Sequence, residues 1–331
     1  MKRSLFLAAM ATLTSSAALA QSSVTIYGRL NQTVERQKDG DTSITALQNN
    51  ASRIGFKGTE DLGGGLKASF VLEHGFGADT GSAGATFWSR ESTVSLEGGF
   101  GKVRLGNVGF GTAAYFATAD YISMHNHDTG TSSDALYVYP GAPLQNMISY
   151  KTPSFSGLDV EAQVGLSENS GLKRTSILAA NWVGGPLHLG AAYVTSGRSV
   201  APVAGDKYTQ LGIRALYEFG AFTVGAYYIN DKTDTGAGDA KRNSYRLAGM
   251  YALGANEFHL NYGAAGEYKN GGTVSYGKAS QFTAGYNYNL SKRTKVYAFY
   301  TQVDNKDNAA YSVSTAGTKF SSIAAGVRHN F

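Results

Sequence analysis

The chain has no cysteine and only five prolines in 331 residues. Without thiols there is no disulfide framework, no thiolate metal site and no cysteine nucleophile, so a large hydrogen-bonded architecture has to hold the chain together. Long apolar runs are missing too. Beyond Gln21 none approaches the roughly 18 residues that a membrane helix requires, which excludes helical spans. Charge of one sign is also scarce: 29 Lys and Arg stand against 24 Asp and Glu, a formal +5, with no basic cluster. That balance argues against a nucleic-acid partner.

The abundant residues are glycine (42), tyrosine (21) and phenylalanine (16). With few helix-period stretches, this composition favours many short strands joined by turns. The start, MKRSLFLAAMATLTSSAALA, sets Lys2 and Arg3 ahead of an apolar run and ends on Ala18-Leu19-Ala20. It has the layout of a secretory signal cleaved after Ala20, leaving residues 21–331 as one domain of formal charge +3.

The most informative stretch is Ser52–Glu73, SRIGFKGTEDLGGGLKASFVLE. Ile54, Phe56 and Gly58 share one parity and Arg53, Lys57 and Thr59 the other. After the turn at 60–65 the pattern resumes, with Leu66, Ala68, Phe70 and Leu72 opposed to Lys67, Ser69 and Glu73. This is an antiparallel hairpin with one apolar and one polar face. A soluble sandwich points the apolar face at a core; an outer-membrane barrel points it at lipid and lines a wet lumen with the polar face. One hairpin is compatible with both.

The rest of the chain decides. A first strand carries Val24, Ile26, Gly28, Leu30 and Val34 on one face and Arg29 on the other, followed by a polar loop over 37–50. Gly75 to Ala85 reads as a second loop, and the next strand runs from about Thr86 to Glu97. The Gly98-Gly99-Phe100-Gly101 turn lacks the spacing, the Ser/Thr and the helix of a phosphate cradle. The chain returns through Val103 and Leu105 with Lys102 and Arg104 opposite. Residues 110–144 form the longest stretch without alternation, and a loop of that length in a compact architecture is functional or disordered; its aromatics favour order. Beyond it, Leu158 to Ser167 alternates cleanly with Asp159 and Glu161 on the polar face, and nine more strands follow to Phe331. Connections alternate between short turns near Gly185, Gly220 and Gly254 and longer polar segments at 196–207, 231–243, 266–279 and 304–319. Short turns at one end and long loops at the other belong to a membrane barrel. The count is about sixteen strands, a size that leaves an aqueous channel. The closing strand ends on Phe331 and pairs with the first, removing the sheet edge.

The blocks SVTIYGRL (23–30), Ser52–Glu73, GFGKVRLG (99–106), NMISYKTPSFSGL (146–158) and the GVRHNF end resemble the general porins of Gram-negative outer membranes, of beta-proteobacterial type, over essentially the whole mature chain. The resemblance implies an all-β, transmembrane, antiparallel up-and-down barrel of about sixteen strands, with the third long loop folded into the lumen as an eyelet. It implies a homotrimer in contact with outer-membrane lipid and lipopolysaccharide, passing ions and small hydrophilic solutes by passive diffusion, without catalysis or cofactor. The constriction residues it implies are Arg29, Arg53, Lys57 and Arg104 on the wall, with Asp120, Asp128 and Asp134 on the loop. Arg90 joins them by position, although its parity agrees with Val94 and Leu96; a bulge re-aims it, or it lies above the apolar band. A unit pair at 4 Å in water-like dielectric is worth about 1 kcal/mol, so a few such charges give a leaky preference, slightly toward anions.

Other readings are weaker. His125-x-His127 is a poor metal site without further ligands; His74, His188, His259 and His329 are scattered, and no serine is matched to a histidine and an acid as a hydrolase requires. A substrate-specific channel would show saturable conductance. A surface-recognition or adhesin barrel would have a narrow or plugged lumen, which about sixteen strands argue against.

Overall fold

The computed structural model describes residues 23–84, 86–109, 112–118, 135–136, 144–167, 174–197, 205, 207–236, 238–270 and 273–331. The signal segment, Asp120, Asp128, Asp134 and the 125/127 histidine pair lie outside the described residues.

Sixteen antiparallel strands follow one another round a closed wall. They are β1 (Ser23–Asp39), β2 in two runs (Thr42–Asn49 and Arg53–Gly63), β3 (Leu66–Gly77), β4 (Glu91–Gly98), β5 (Gly101–Asn107), β6 (Met147–Lys151), β7 (Leu158–Gly165) and β8 (Thr175–Gly184). The second half comprises β9 (Leu187–Ser196), β10 (Lys207–Phe219), β11 (Phe222–Asp234), β12 (Asp239–Leu253), β13 (Asn256–Ala265), β14 (Ala279–Asn289), β15 (Thr294–Asn305) and β16 (Lys319–Asn330). Closure is made by β1, which pairs with β16 from Arg29↔Asn330 to Asp39↔Phe320 and with β2 on its other side. No edge remains for another chain to extend. A short helix, α1 (Ala113–Thr118), lies in the long connection between β5 and β6.

Burial runs opposite to that of a soluble sheet. On β1 Val24, Ile26 and Val34 are 63%, 60% and 59% exposed, while Asn31, Thr33 and Glu35 are buried. The apolar parity faces outward and the polar parity inward, which only a lipid surround makes favourable. At the short-turn end of the outer face an aromatic belt runs strand to strand, with ring centroids 5.4 Å apart for Phe219–Phe222, 4.6 Å for Phe222–Tyr251 and 5.3 Å for Phe258–Tyr286. Tyr193, Tyr228, Tyr245, Tyr262 and Tyr300 are exposed toward the long-loop end. Two such girdles mark the two interfaces of a bilayer.

Several boundaries differ from the sequence-based expectation. The segment 37–50 is mostly strand, because β1 and the first run of β2 continue as a hairpin to a turn at Gly40, where φ is +56°. Polarity there comes from standing above the apolar band, not from irregular backbone. The same holds for 231–243, where β11 and β12 extend to Asp234 and Asp239. The connection 266–279 carries a small hairpin of Tyr268–Asn270 and Thr273–Tyr276. β3 continues to Gly77, and β4 begins at Glu91 rather than near Thr86.

The last residue closes the wall. Gly28 and Phe331 exchange backbone hydrogen bonds of 3.0 and 3.1 Å, and the Phe331 ring covers Gly28 so closely that a Cβ there would lie 2.4 Å from ring Cζ. Gly28→Leu should therefore unseat the terminal ring, at a cost of about 1–3 kcal/mol for the overpacked joint. The expected result is a smaller folded fraction on refolding, read from the heat-modifiable gel shift; an unchanged fraction would contradict this.

Candidate functional site

The lumen is built from the inward parity. On β1, β2, β15 and β16 that parity carries Arg29, Arg53, Lys295 and Arg328, and the register sets them side by side: Arg53 faces Arg29, Arg29 faces Asn330, and Arg328 faces Lys295. Neighbouring strands are about 4.8 Å apart, so these four cations form one transverse row on the wall. Arg29 Nε donates to Asn330 Oδ1 at 3.0 Å.

Arg90 extends the row. It precedes β4 in an irregular segment, so strand parity does not govern it; its side chain lies over Gly75 and its Nε meets Glu73 Oε1 at 2.5 Å. The same oxygen lies 3.7 Å from Arg53 Nε, and Tyr27 OH donates to Oε2 at 2.9 Å. The backbone irregularity before β4 thus aims Arg90 inward. Lys57 Nζ sits 5.0 Å from the centre of the Tyr27 ring. Arg104 belongs to a separate group further round, bridging Glu91 at 3.2 Å and Glu161 at 3.1 Å. Glu161 also accepts from Ser149 at 2.5 Å and from Gln163 at 2.8 Å. Of the five predicted wall residues, Arg29, Arg53 and Arg90 come together, Lys57 lies beside them across Tyr27, and Arg104 stands apart. Lys295 and Arg328 belong to the row and were not predicted.

The described parts of the β5–β6 loop lie against a different sector of the inner wall. Thr112 starts α1, its Oγ1 accepting from Tyr115 N at 3.0 Å. Wall side chains then hold the helix by its backbone: Gln163 Oε1 accepts from Ala113 N at 3.3 Å, and Arg214 Nη1 donates to Phe116 O at 2.8 Å. Two glycines let it sit close, since a Cβ on Gly190 would lie 1.8 Å from Ala117 O and one on Gly212 would lie 2.6 Å from Thr118 Cγ2. Val108, Ala113, Ala114 and Ala117 pack on inward-facing Ile177, Ala179, Ala192 and Val194. Further round, Ala135 N donates to Gln281 Oε1 at 2.8 Å, and Leu136 is buried with Ala265, Ala279 and Val303. The sequence signal for this seat was the run LGAAYV at 189–194, apolar or small on both parities. A strand whose inward face is apolar beside a wet lumen must be covered by something.

Above Leu136 the long-loop end is knitted together around an ion pair that neither partner exposes, Arg242 Nη2 to Asp231 Oδ2 at 2.8 Å. Tyr208 OH and Gln210 Nε2 donate to the other carboxylate oxygen at 2.5 and 2.9 Å. Arg242 also donates to the hydroxyl of Tyr311, and its guanidinium lies 4.5 Å from the centre of the Tyr268 ring. Tyr268 and Tyr311 come from the β13–β14 and β15–β16 connections, so one arginine binds two loops. Among the described residues no group of three or more metal-ligating side chains is present.

Comparisons with known proteins agree with this geometry. The family model for Gram-negative porins matches residues 7–308. The chain is 33% identical to outer membrane porin protein 32 of Delftia acidovorans and 26% identical to an outer membrane porin of Bordetella pertussis, in each case over the whole of both proteins. The solved anion-selective porin from Comamonas acidovorans superposes with a TM-score of 0.74 at 29% identity, covering 94% of this chain and 100% of its own. The closed sixteen-stranded fold is thus shared with relatives along the full length, and the chain belongs to the Gram-negative porin family, a channel-forming β-barrel of the outer membrane and not an enzyme.

Proposed function

We propose that the protein is a passive diffusion pore for ions and small hydrophilic solutes with a weak preference for anions. The observation that carries this reading is the transverse row of Lys295, Arg328, Arg29, Arg53 and Arg90 on the lumen wall. Like charges directly opposite one another on adjacent strands disfavour folding. Two such joints in succession, Arg53 with Arg29 and Arg328 with Lys295, are what a field acting on solutes requires. The β5–β6 loop narrows the pore from the sector it lies against, and we assign Asp120, Asp128 and Asp134 of that loop to the acidic side of the field. The solved porin from Comamonas acidovorans is anion-selective, which supports the sign.

The mature protein begins at Gln21 and assembles as a homotrimer in contact with outer-leaflet lipid. Support for the trimer comes from the outer face: β16 and β1 to β5 carry no outward tyrosine among the described residues, whereas β9 to β15 carry many. A sector without interfacial tyrosines fits contact with protein better than contact with lipid.

Planar-bilayer recording in a salt gradient tests the reading. Conductance should be ohmic, step in threes and reverse at a potential of mild anion preference. Arg53→Gln combined with Arg90→Gln removes two unit charges, each worth about 1 kcal/mol in water-like dielectric, and should shift the permeability ratio several-fold toward cations. An unchanged reversal potential in a conducting double variant would remove the row from selectivity, and saturable block by one solute would replace general diffusion with a specific channel.

A further inference from the structure

A cavity of about 310 Å³ opens on the outer face at the long-loop end, among the outward-facing residues of β12 to β15. Tyr245 and Ala264 make its apolar part, Asn243 and Asp304 line its sides, and Lys278 and Lys306 stand on its rim. The two lysines are both exposed and come from different connections, yet they are tied together, since Lys306 N donates to Lys278 O at 3.0 Å. The acids whose fields reach them are held elsewhere: Asp304 pairs with Lys319 at 2.9 Å and Glu267 with Lys269 at 2.8 Å. Neither Lys278 nor Lys306 makes an ion pair of its own within the described residues. Two lysines thus spring from hydrogen-bonded backbone positions beside an apolar floor, at the level where Tyr245, Tyr262 and Tyr300 mark the upper edge of the lipid band.

We propose that this cavity is a binding site for the phosphorylated headgroup of an outer-leaflet lipid, with Lys278 and Lys306 on the phosphate and the Tyr245–Ala264 floor against the first carbons of the acyl chains. Position selects the ligand. A soluble anion passes through the lumen, on the other side of the wall, whereas this cavity opens into the interface where a lipid's charge and its chain meet. Basic residues at a membrane surface attract anionic lipid, and the effect accumulates with each one. The lipid thereby braces the β13–β14 and β15–β16 connections from outside, the two that Arg242 ties from within. This site does not depend on the selectivity of the pore, and its test is separable from recordings of current.

Native mass spectrometry of the detergent-solubilised full-length protein, titrated with diphosphorylated lipid A, tests the assignment. Lys278→Gln with Lys306→Gln should lower lipid occupancy about thirtyfold. Lys292→Gln, in the short turn at the opposite rim, should leave it unchanged, and the heat-modifiable gel shift verifies that each variant is folded. Equal occupancy in the double variant, or equal binding of dephosphorylated lipid A, would overturn the proposal. Displacement of the lipid by millimolar inorganic phosphate would also overturn it, because the site would then belong to a soluble anion.

Discussion

Gly190→Val should lower single-channel conductance and change the ion permeability ratio while leaving the barrel folded. Gly190 faces inward on β9, and a Cβ there would lie 1.8 Å from Ala117 O and 2.8 Å from its carbonyl carbon. Both are backbone atoms of a helix already bonded to the wall, so no side-chain rotation relieves the overlap. To regain an ordinary contact of about 3.5 Å the helix has to lift by roughly 2 Å. The Arg214 to Phe116 hydrogen bond of 2.8 Å cannot survive that movement. Lifting carries α1 away from the wall and into the lumen, so the pore narrows. Gly249→Val is the matched control, because nothing lies within 4 Å of a Cβ at that position. Wild-type current through a folded Gly190→Val barrel would show that α1 does not border the conducting path.

Arg242→Met should produce the largest loss of stability of any single change on the inner wall. It strands the Asp231 carboxylate, whose side chain is 0% exposed, and removes the donor that holds Tyr311. Breaking a buried pair by deleting one partner costs about 3–5 kcal/mol. The expected signs are a lower temperature for loss of the heat-resistant folded form in detergent and faster proteolysis of the 306–318 connection. Arg242→Met with Asp231→Leu leaves no orphaned charge and should recover most of the thermal loss. The proteolytic sensitivity should persist in the double variant, since Tyr311 has still lost its donor. If instead the double variant is as unstable as the single, the loops rather than the unpaired charge account for the effect.

These two sites lie at opposite ends of what could be read in advance. Strand parity was legible around Ser52–Glu73 and in the neighbouring strands because alternation is a property of each strand by itself, and it grouped Arg29, Arg53, Lys57 and Arg104 on the polar parity, the one that faces inward in the barrel. The extent of β1 and β2 beyond the membrane was misjudged, because polar residues on both faces look like loop when the strand simply projects into water. Arg90 shows the limit of parity: its sequence phase places it with Val94 and Leu96, but it precedes the first paired residue of β4 and reaches Glu73 from irregular backbone. Arg242 and Asp231 both fell in the polar connection expected at 231–243, which is paired strand in the barrel, and Tyr268 and Tyr311 lie in connections whose path no local pattern encodes.

The sequence by itself determined an all-β membrane wall of about sixteen strands, which face of the alternating strands meets lipid, and where the short turns fall. Those features follow from a period of two and from glycines at turns, both of them local. Tertiary structure decided which charges stand together. Lys295 and Arg328 become neighbours of Arg29 and Arg53 only because the last strand closes on the first, which joins residues some three hundred positions apart. It likewise decided that inward Ile177, Ala192 and Val194 serve as a seat for α1. Register and closure arise from hydrogen bonds between strands distant in sequence, so the cation row and the loop seat are properties of the closed barrel and not of any one segment.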